Sequence, residues 1–122
     1  GQKEKAVEVL DECIEAIPER NVPYNYFVLS IAENYYKLGE YEKGNKIIGS
    51  LVDRYENDLK YYVSLKGDAK KAVREDSERA KYILQQIIMM TNERYKEAGM
   101  EAGMKDRFTS INSLLMNEIP AN

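Results

Sequence analysis

Four carboxylates near the start of the chain have the spacing that a binding site would require. Glu8, Asp11, Glu12 and Glu15 lie three or four residues apart or next to each other, so a helix would place them on one face. Carboxylate oxygens gathered in this way are ligands for hard cations such as calcium. No loop pre-arranges these oxygens, so the sequence favours a solvated acidic face over a metal site.

The usual catalytic side chains are missing from the sequence. It contains no histidine, the commonest general base and metal ligand, which excludes serine-histidine-aspartate and cysteine-histidine sites. Its one cysteine, Cys13, can form neither an internal disulfide nor a cysteine zinc site, and its place among apolar residues predicts a buried small side chain. Gly99 and Gly103 match neither nucleotide-binding fingerprint. We therefore expect no catalytic residues, no metal and no cofactor.

Tyrosines are the remaining candidates for binding, because aromatic faces stack on peptides and sugars. The sequence has ten tyrosines and no tryptophan. One group continues the apolar stripes of predicted helices, where packing explains it: Tyr35, Tyr41, Tyr55, Tyr62 and Tyr95. The other group has no such explanation, and some of its members could line a groove: Tyr24, Tyr26, Tyr36, Tyr61 and Tyr82. The methionines are predicted to fill gaps in the core: Met89, Met90, Met100, Met104 and Met116.

Composition places the chain among ordinary globular proteins. Its 122 residues are enough for one domain, with 43% hydrophobic and 32% charged residues. A net charge of −3 with mixed signs gives no field that would attract nucleic acid or an anionic membrane. No stretch approaches the roughly 18 to 20 apolar residues of a membrane span. These features predict a domain that binds no nucleic acid and does not insert into a membrane.

Hydrophobic periodicity predicts an all-α fold of about five antiparallel helices, since no segment alternates with a period of two. The third helix could break near Asn57, although its apolar period is unbroken there. Gly99 and Gly103 favour a turn, with close approach of two helices as the alternative reading. The predicted helices within a single domain 1–122 cover residues 3–17, 24–38, 40–65, 69–98 and 105–119.

The stretch "YYKLGEYEKGNKII" resembles the tetratricopeptide repeat, a helix-turn-helix unit of about 34 residues. Aligning Gly39 with the turn glycine of that family makes residues 25–58 one repeat. The positions of this chain that match the repeat signature are Ala32, Tyr35, Gly39, Tyr41, Gly44 and Ile48. Departures from the pattern are Val28 in place of tryptophan, Leu51 at a small-residue position and Glu56 in place of proline. We expect Gly44 to occupy a helix contact too tight for a methyl group.

The first residues look like the second helix of a preceding repeat. Ala6, Leu10, Cys13 and Pro18 match its small, large, small and proline positions. Gly1, in place of an initiator methionine, is typical of the residue left by tag cleavage. We therefore expect this sequence to be the C-terminal piece of a longer protein, with an apolar surface near Ala6 and Leu10 that faces the upstream part.

The order of segments carries a second and broader resemblance. The "YYKLGEYEKG" turn, a tyrosine-rich helix with "LKYYVSL" and the long "LQQIIMMTNERYKEAG" helix look like the soluble C-terminal region of large bacterial multi-pass membrane proteins. That family is of unknown function and is related to glycosyltransferases such as protein O-mannosyltransferases. The resemblance implies that catalysis belongs to the membrane part and that this region is attached to the membrane and periplasmic.

Together these observations predict a non-catalytic domain that docks a protein or peptide, or the upstream part of its own chain. The alternatives are a glycan-recognising accessory domain, a free-standing helical adaptor, and a cap that only stabilises the parent chain. From helix faces, we expect any interaction groove at Tyr24, Asn25, Val28, Asn34 and Tyr36. The sequence does not decide the oligomeric state.

Overall fold

The computed structural model describes residues 1–16 and 25–117, and these residues are almost entirely helical. The predicted all-α fold class is confirmed, and no strand occurs in the described ranges. A π-helical segment, Met90–Arg94, joins the fifth α-helix to the sixth. The α-helices of the described ranges are α1 (Gln2–Ala16), α2 (Asn25–Lys37), α3 (Tyr41–Ser64), α4 (Gly67–Ala72), α5 (Arg74–Met89), α6 (Lys96–Ala102) and α7 (Lys105–Asn117).

Helix α3 lies at the centre of the molecule, where α2, α5, α6 and α7 all pack against it. It runs without interruption through Asn57, as its apolar period predicted. Each large aliphatic side chain buried there contributes roughly 1.5 to 3 kcal/mol relative to exposure. Its buried apolar residues follow the helical spacing along the whole length: Gly44, Ile47, Ile48, Leu51, Val52, Tyr55 and Leu59.

Helices α2 and α3 form a hairpin whose turn is set by a glycine. Gly39 has φ +78, a left-handed conformation that side chains disfavour. Its amide donates to the carbonyl of Tyr36 (3.0 Å), and the amide of Glu40 donates to the carbonyl of Tyr35 (2.9 Å). These two bonds satisfy the last carbonyls of α2 in the Schellman arrangement. The glycine stop predicted at this position is confirmed.

Gly44 lies at the close contact that its position predicted. A Cβ atom built on Gly44 would lie 2.6 Å from Cδ1 of Tyr36 and 3.2 Å from the carbonyl oxygen of Ala32. Ala32 and Ile48 beside it are fully buried. Because Gly44 has no side chain, the Tyr36 ring of α2 fits directly against the backbone of α3. The two helices can therefore lie close together at this point.

The prediction of a single helix over residues 69–98 is wrong, because the structure divides this range into α4, α5, the π-helical segment and the start of α6. The chain bends at Val73 (φ −103, ψ 12), which separates α4 from α5, and again at Tyr95 (φ −130, ψ 60) after the π-helical segment. No glycine or proline lies between residues 68 and 98, so the local sequence contains no stop signal. The bend at Tyr95 allows α6 to pack against both the π-helical segment and α3, which a straight continuation of α5 could not do.

Gly99 and Gly103 have different roles, and each matches one of the two predicted alternatives, a turn or a close approach of two helices. Gly103 has φ +62 and forms the turn before α7. Gly99 lies inside α6, where a Cβ atom would overlap the carbonyl oxygen of Thr91 and lie 3.0 Å from its carbonyl carbon. The predicted turn is thus made by Gly103, while Gly99 permits close packing of α6 on the π-helical segment.

Helix α7 is held to α3 by an ion-pair cluster as well as by the buried Phe108 and Ile111. Arg107 contacts Glu56 through Nε (2.6 Å) and Asp53 through Nη2 (2.5 Å). Burial of Glu56 opposes its ionisation, but the hydrogen bonds from Arg107 and Lys60 outweigh this effect and lower the pKa of Glu56 below its ordinary value of 4.5.

Two core assignments predicted from the sequence need correction. The apolar spacing of α2 predicts Phe27 on its inward face, but Phe27 is half exposed. Leu29 is buried instead, because α2 contacts both α1 and α3. The methionines also divide. Met90 is buried and Met104 packs against the core, as predicted, but Met89 and Met116 are exposed. The side chain of Met100 lies outside the described residues.

Candidate functional site

Of the residues predicted to form an interaction groove, the structure describes the side chains of Val28, Asn34 and Tyr36. Tyr24 and the side chain of Asn25 lie outside the described residues. Val28 is half-buried and packs against the core, and Asn34 is exposed, with its amide donating to the carbonyl of Ser30 (3.0 Å). Tyr36 is only 2% exposed, so its assignment to a groove is wrong.

Tyr36 instead connects three helices from within the core. Its hydroxyl donates to Oδ1 of Asn45 (2.6 Å), and Nδ2 of Asn45 donates to the carbonyl of Ala98 (3.0 Å). Its ring packs against those of Tyr41 and Tyr95. Burial raises the pKa of Tyr36, so the phenol remains a neutral donor. This chain of contacts fixes α2, α3 and α6 relative to one another.

The acidic face of α1 is also used for structure. The hydroxyl of Tyr35 donates to Oδ1 of Asp11 (2.6 Å), and Nζ of Lys43 lies 2.8 Å from Oδ2 of Asp11. Lys43, and then Tyr35, lower the pKa of Asp11 by stabilising its charge. Within residues 1–16 and 25–117, no group of three or more acidic or cysteine side chains could hold a metal ion.

A cleft between α7 and the α4–α5 bend is the best candidate for a functional site. Its volume is about 810 Å³ and it is open to solvent along one side. Tyr62, near the end of α3, and Asn112, on α7, line two of its walls. The bend at Val73 turns the end of α4 and the start of α5 toward the same space, which a straight helix would not do.

The cleft combines an apolar wall with a cationic rim. Among the described lining residues Glu78 is the one carboxylate, and it pairs with Lys81 (3.3 Å). Burial raises the pKa of Tyr62, with Asp58 and Asp76 adding to this effect, so its hydroxyl stays neutral. The cationic lining residues are Lys70, Lys71, Arg74 and Lys81. The apolar and aromatic lining residues are Tyr62, Val73, Leu115 and Met116. Such a surface is suited to a ligand that is apolar in part and negatively charged in part.

One polar group in the wall of the cleft lacks a partner. Ser77 is 6% exposed, and its Oγ is the only buried side-chain nitrogen or oxygen of the described residues without a hydrogen bond. Its amide does bond, to the carbonyl of Val73 (2.8 Å). A buried hydroxyl left unpaired costs roughly 1 to 3 kcal/mol. The Oγ of Ser77 is enclosed within the protein, so this cost lowers stability and offers no contact to a ligand in the cleft.

The sequence predicts one straight helix over residues 69–98 and does not single out Lys70, Lys71, Arg74 or Ser77 as site residues. Two signals were nevertheless present. Arg74 is four residues after Lys70 and three after Lys71, a spacing that concentrates positive charge on one side of a helix. Ser77 interrupts the apolar stripe between Val73 and Ala80 with a polar residue. The bend that joins these features had no sequence signal.

Comparison of the chain with known protein families, with curated proteins and with solved structures gave no match. The helices within residues 1–16 and 25–117 include none with both the length and the apolar character of a membrane-crossing segment.

Proposed function

We propose that this chain is a non-catalytic protein-interaction domain that binds a short peptide segment in the cleft between α7 and the α4–α5 bend. The observation that carries the proposal is the cleft itself. Its volume of about 810 Å³ lies within the range of roughly 300 to 1,000 Å³ that is usual for ligand sites. Its apolar wall can bury side chains while its rim supplies hydrogen bonds and charge.

The contacts of the acidic side chains support a non-catalytic role. The carboxylate of Asp11 is occupied by Tyr35 and Lys43, and that of Glu56 by Arg107. These groups join helices, and their charges stabilise each other. They are placed as structural contacts, since none of them borders the cleft.

We also propose that the domain serves a larger protein. The α2–α3 hairpin resembles a tetratricopeptide unit, and the chain looks like the soluble region of a membrane glycosyltransferase-like protein. In that setting the cleft would recruit a partner to an enzyme whose catalytic part lies elsewhere. A short cleft of this kind holds only a few residues, so we expect modest affinity.

Selection from a random peptide display library tests the proposal. The target is the full chain, compared with Asn112→Trp, which places a large ring in the cleft from an exposed position. Ser110→Trp is the matched control, because Ser110 is exposed on α7 about 200° away around the helix. We expect enriched peptides to bind the wild type and Ser110→Trp saturably and to lose affinity for Asn112→Trp. Failure to enrich peptides, or equal binding to Asn112→Trp, would contradict the proposal.

Glycan recognition is a second candidate, favoured by an exposed aromatic pair. Tyr26 and Tyr82 are each about half exposed, and their ring centroids are 6.1 Å apart. Exposed rings can stack on sugars. Titration of an oligosaccharide panel, followed by NMR of the tyrosine rings, should shift the signals of this pair and respond to Tyr82→Ala but not to Tyr61→Ala. Unchanged spectra across the panel would rule against it.

A further inference from the structure

We infer that α1 covers a helix-binding surface on α2 and α3, and that a partner protein docks there with an amphipathic helix that carries a carboxylate. In this chain α1 itself occupies the surface, so its contact restrains the binding of the partner. The surface is separate from the cleft, since none of Asp11, Tyr35 and Lys43 lines that cleft. The inference therefore goes beyond the proposed function and does not depend on it.

Helix α1 is held by less packing than the other long helices. It carries no buried residue over its 15 residues, and α2 is the helix against which it chiefly packs. Four of its apolar side chains are only partly buried against the core: Val7, Leu10, Cys13 and Ile14. A helix of this length is marginally stable alone in water. Because segments with few buried contacts open locally before a domain unfolds, we expect α1 to open as a separate unit.

Two polar groups from different helices meet at one carboxylate of α1. The hydroxyl of Tyr35, on α2, donates to Oδ1 of Asp11 (2.6 Å), and Nζ of Lys43, on α3, lies 2.8 Å from Oδ2. Tyr35 is only 2% exposed, so packing fixes the position of its hydroxyl. When α1 opens, this hydroxyl and the ammonium of Lys43 lose their shared acceptor. A carboxylate from another helix can replace it and satisfy both groups at once.

Charge and spacing together define the helix that fits. The ammonium of Lys43 favours a carboxylate over a neutral side chain at the position of Asp11. Around that position Val7, Leu10 and Ile14 follow each other at intervals of three and four, as on one face of a helix. A partner helix needs the same apolar intervals, with an aspartate or glutamate directly after the second apolar residue.

A second copy of this chain carries the same helix, but it is a poor competitor. Each copy already has its own α1 attached through a short connection, and attachment of this kind gives an effective concentration in the millimolar range. Exchange between copies therefore requires protein concentrations of about that size. A helix of another protein is not limited to the contacts of α1 and can displace it at lower concentration.

Hydrogen exchange tests whether α1 opens separately. Measured by NMR in low concentrations of urea, the amides of α1 should be protected at least about tenfold less than those at the centre of α3, with little dependence on urea. The central amides of α3 should exchange through global unfolding. Equal protection of the two helices would mean that α1 opens only with the whole domain, which would overturn the inference.

A labelled peptide with the sequence of residues 2–16 and blocked ends is the probe for the surface. Fluorescence anisotropy in reducing buffer gives its Kd for the full chain and for Leu10→Asp, which weakens docking of the attached α1. Ile14→Asp removes a different apolar contact of α1 and should behave in the same way. Both variants should bind the peptide at least about tenfold more tightly than the wild type, because the attached helix no longer competes.

A reversal of charge identifies the contact made by Asp11. In the Leu10→Asp background, Lys43→Glu should weaken binding of the peptide by about threefold to tenfold, and a peptide with Asp11→Lys should recover it. Tyr35→Phe, which removes only the hydroxyl, should also weaken binding by about threefold to tenfold. Lys66→Glu is the control, since it changes the net charge equally but follows the end of α3, about 30 Å along that helix from Lys43.

Each outcome decides the inference. Tighter binding to the two opened variants, loss with Lys43→Glu and recovery with the reversed peptide support it. No binding, equal affinity for the wild type and the opened variants, or equal effects of Lys43→Glu and Lys66→Glu overturn it. Dimers of the wild-type chain that exchange α1 at micromolar concentration overturn it in favour of a second copy. Loss of binding on adding Asn112→Trp would place the peptide in the cleft and overturn it as well.

Discussion

Replacing Gly44 with alanine should destabilise the protein, although the same change in an open helix would stabilise it. The new Cβ atom would lie 2.6 Å from Cδ1 of Tyr36, well inside contact distance, and 3.2 Å from the carbonyl oxygen of Ala32. The Tyr36 ring cannot easily give way, because it is buried and its hydroxyl bonds Asn45 at 2.6 Å. The backbone of α2 would have to move away from α3 instead.

The expected magnitude follows from opposing effects. Alanine gains about 1 kcal/mol over glycine within a helix. Overpacking of a buried contact costs about 1 to 3 kcal/mol, and weakening the Tyr36 hydrogen bond costs about 1 kcal/mol more. The free energy of unfolding should therefore fall by about 1 to 3 kcal/mol. For a chain of this size, each kcal/mol lowers the melting temperature by about 4 °C.

Urea denaturation followed by far-ultraviolet circular dichroism measures this change. Gly49→Ala is the matched control, since Gly49 lies in the same helix and its Cβ atom would meet only Cε of Met104, at an ordinary distance of 3.6 Å. That variant should be more stable than the wild type by up to about 1 kcal/mol. If Gly44→Ala is also stabilised, the close contact between α2 and α3 does not exist as described and the reasoning fails.

Three further predictions concern other contacts. Gly99→Ala should lower the free energy of unfolding by about 1 to 3 kcal/mol, because its Cβ atom would overlap the carbonyl oxygen of Thr91; a stability equal to that of the wild type would contradict this packing. Arg107→Ala should lower stability at neutral pH by about 1 to 3 kcal/mol, because it leaves the buried carboxylate of Glu56 without its closest partner. That deficit should shrink below pH 4.5, where the carboxyl of Glu56 becomes protonated, and a deficit independent of pH would argue against the ion pair. The contact of Asp11 with α2 and α3 should persist above pH 3.8 and weaken as the pH falls below that value, because its folded-state pKa is lowered; NMR titration checks this, and Asp11→Asn should abolish the dependence.

Much of the fold follows from periodicity, because burial on one face is recorded directly in the spacing of residues. The stripe of α3 is buried as predicted, and the glycine stop at Gly39 occurs as predicted. The bends at Val73 and Tyr95 could not be predicted in this way. The bend at Tyr95 allows contacts between α6 and α3, and the bend at Val73 places the end of α4 and the start of α5 around the cleft beside α7; such tertiary contacts leave no mark on local sequence.

The candidate site was less predictable than the fold, for the same physical reason. Tyr36 was assigned to a groove because a single stripe was expected on α2, whereas α1 and α3 bury that helix from two sides. The cleft depends on the bend at Val73, which brings Arg74 and Ser77 beside α7. A cationic cluster can be recognised in a sequence, but the surface that faces it cannot.

The π-helical segment holds an additional residue without displacing the helices that follow it. A π-helical turn contains one more residue than an α-helical one, as an insertion would produce. Removing Asn92, which is exposed, would therefore convert this turn to a regular α-helical one and leave the following residues in nearly the same orientation. Ala98 would stay in the core, and Arg107 would keep its place beside Glu56. The loss of one codon should thus be tolerated better here than within α3, where it would rotate every following residue by about 100° around the helix axis.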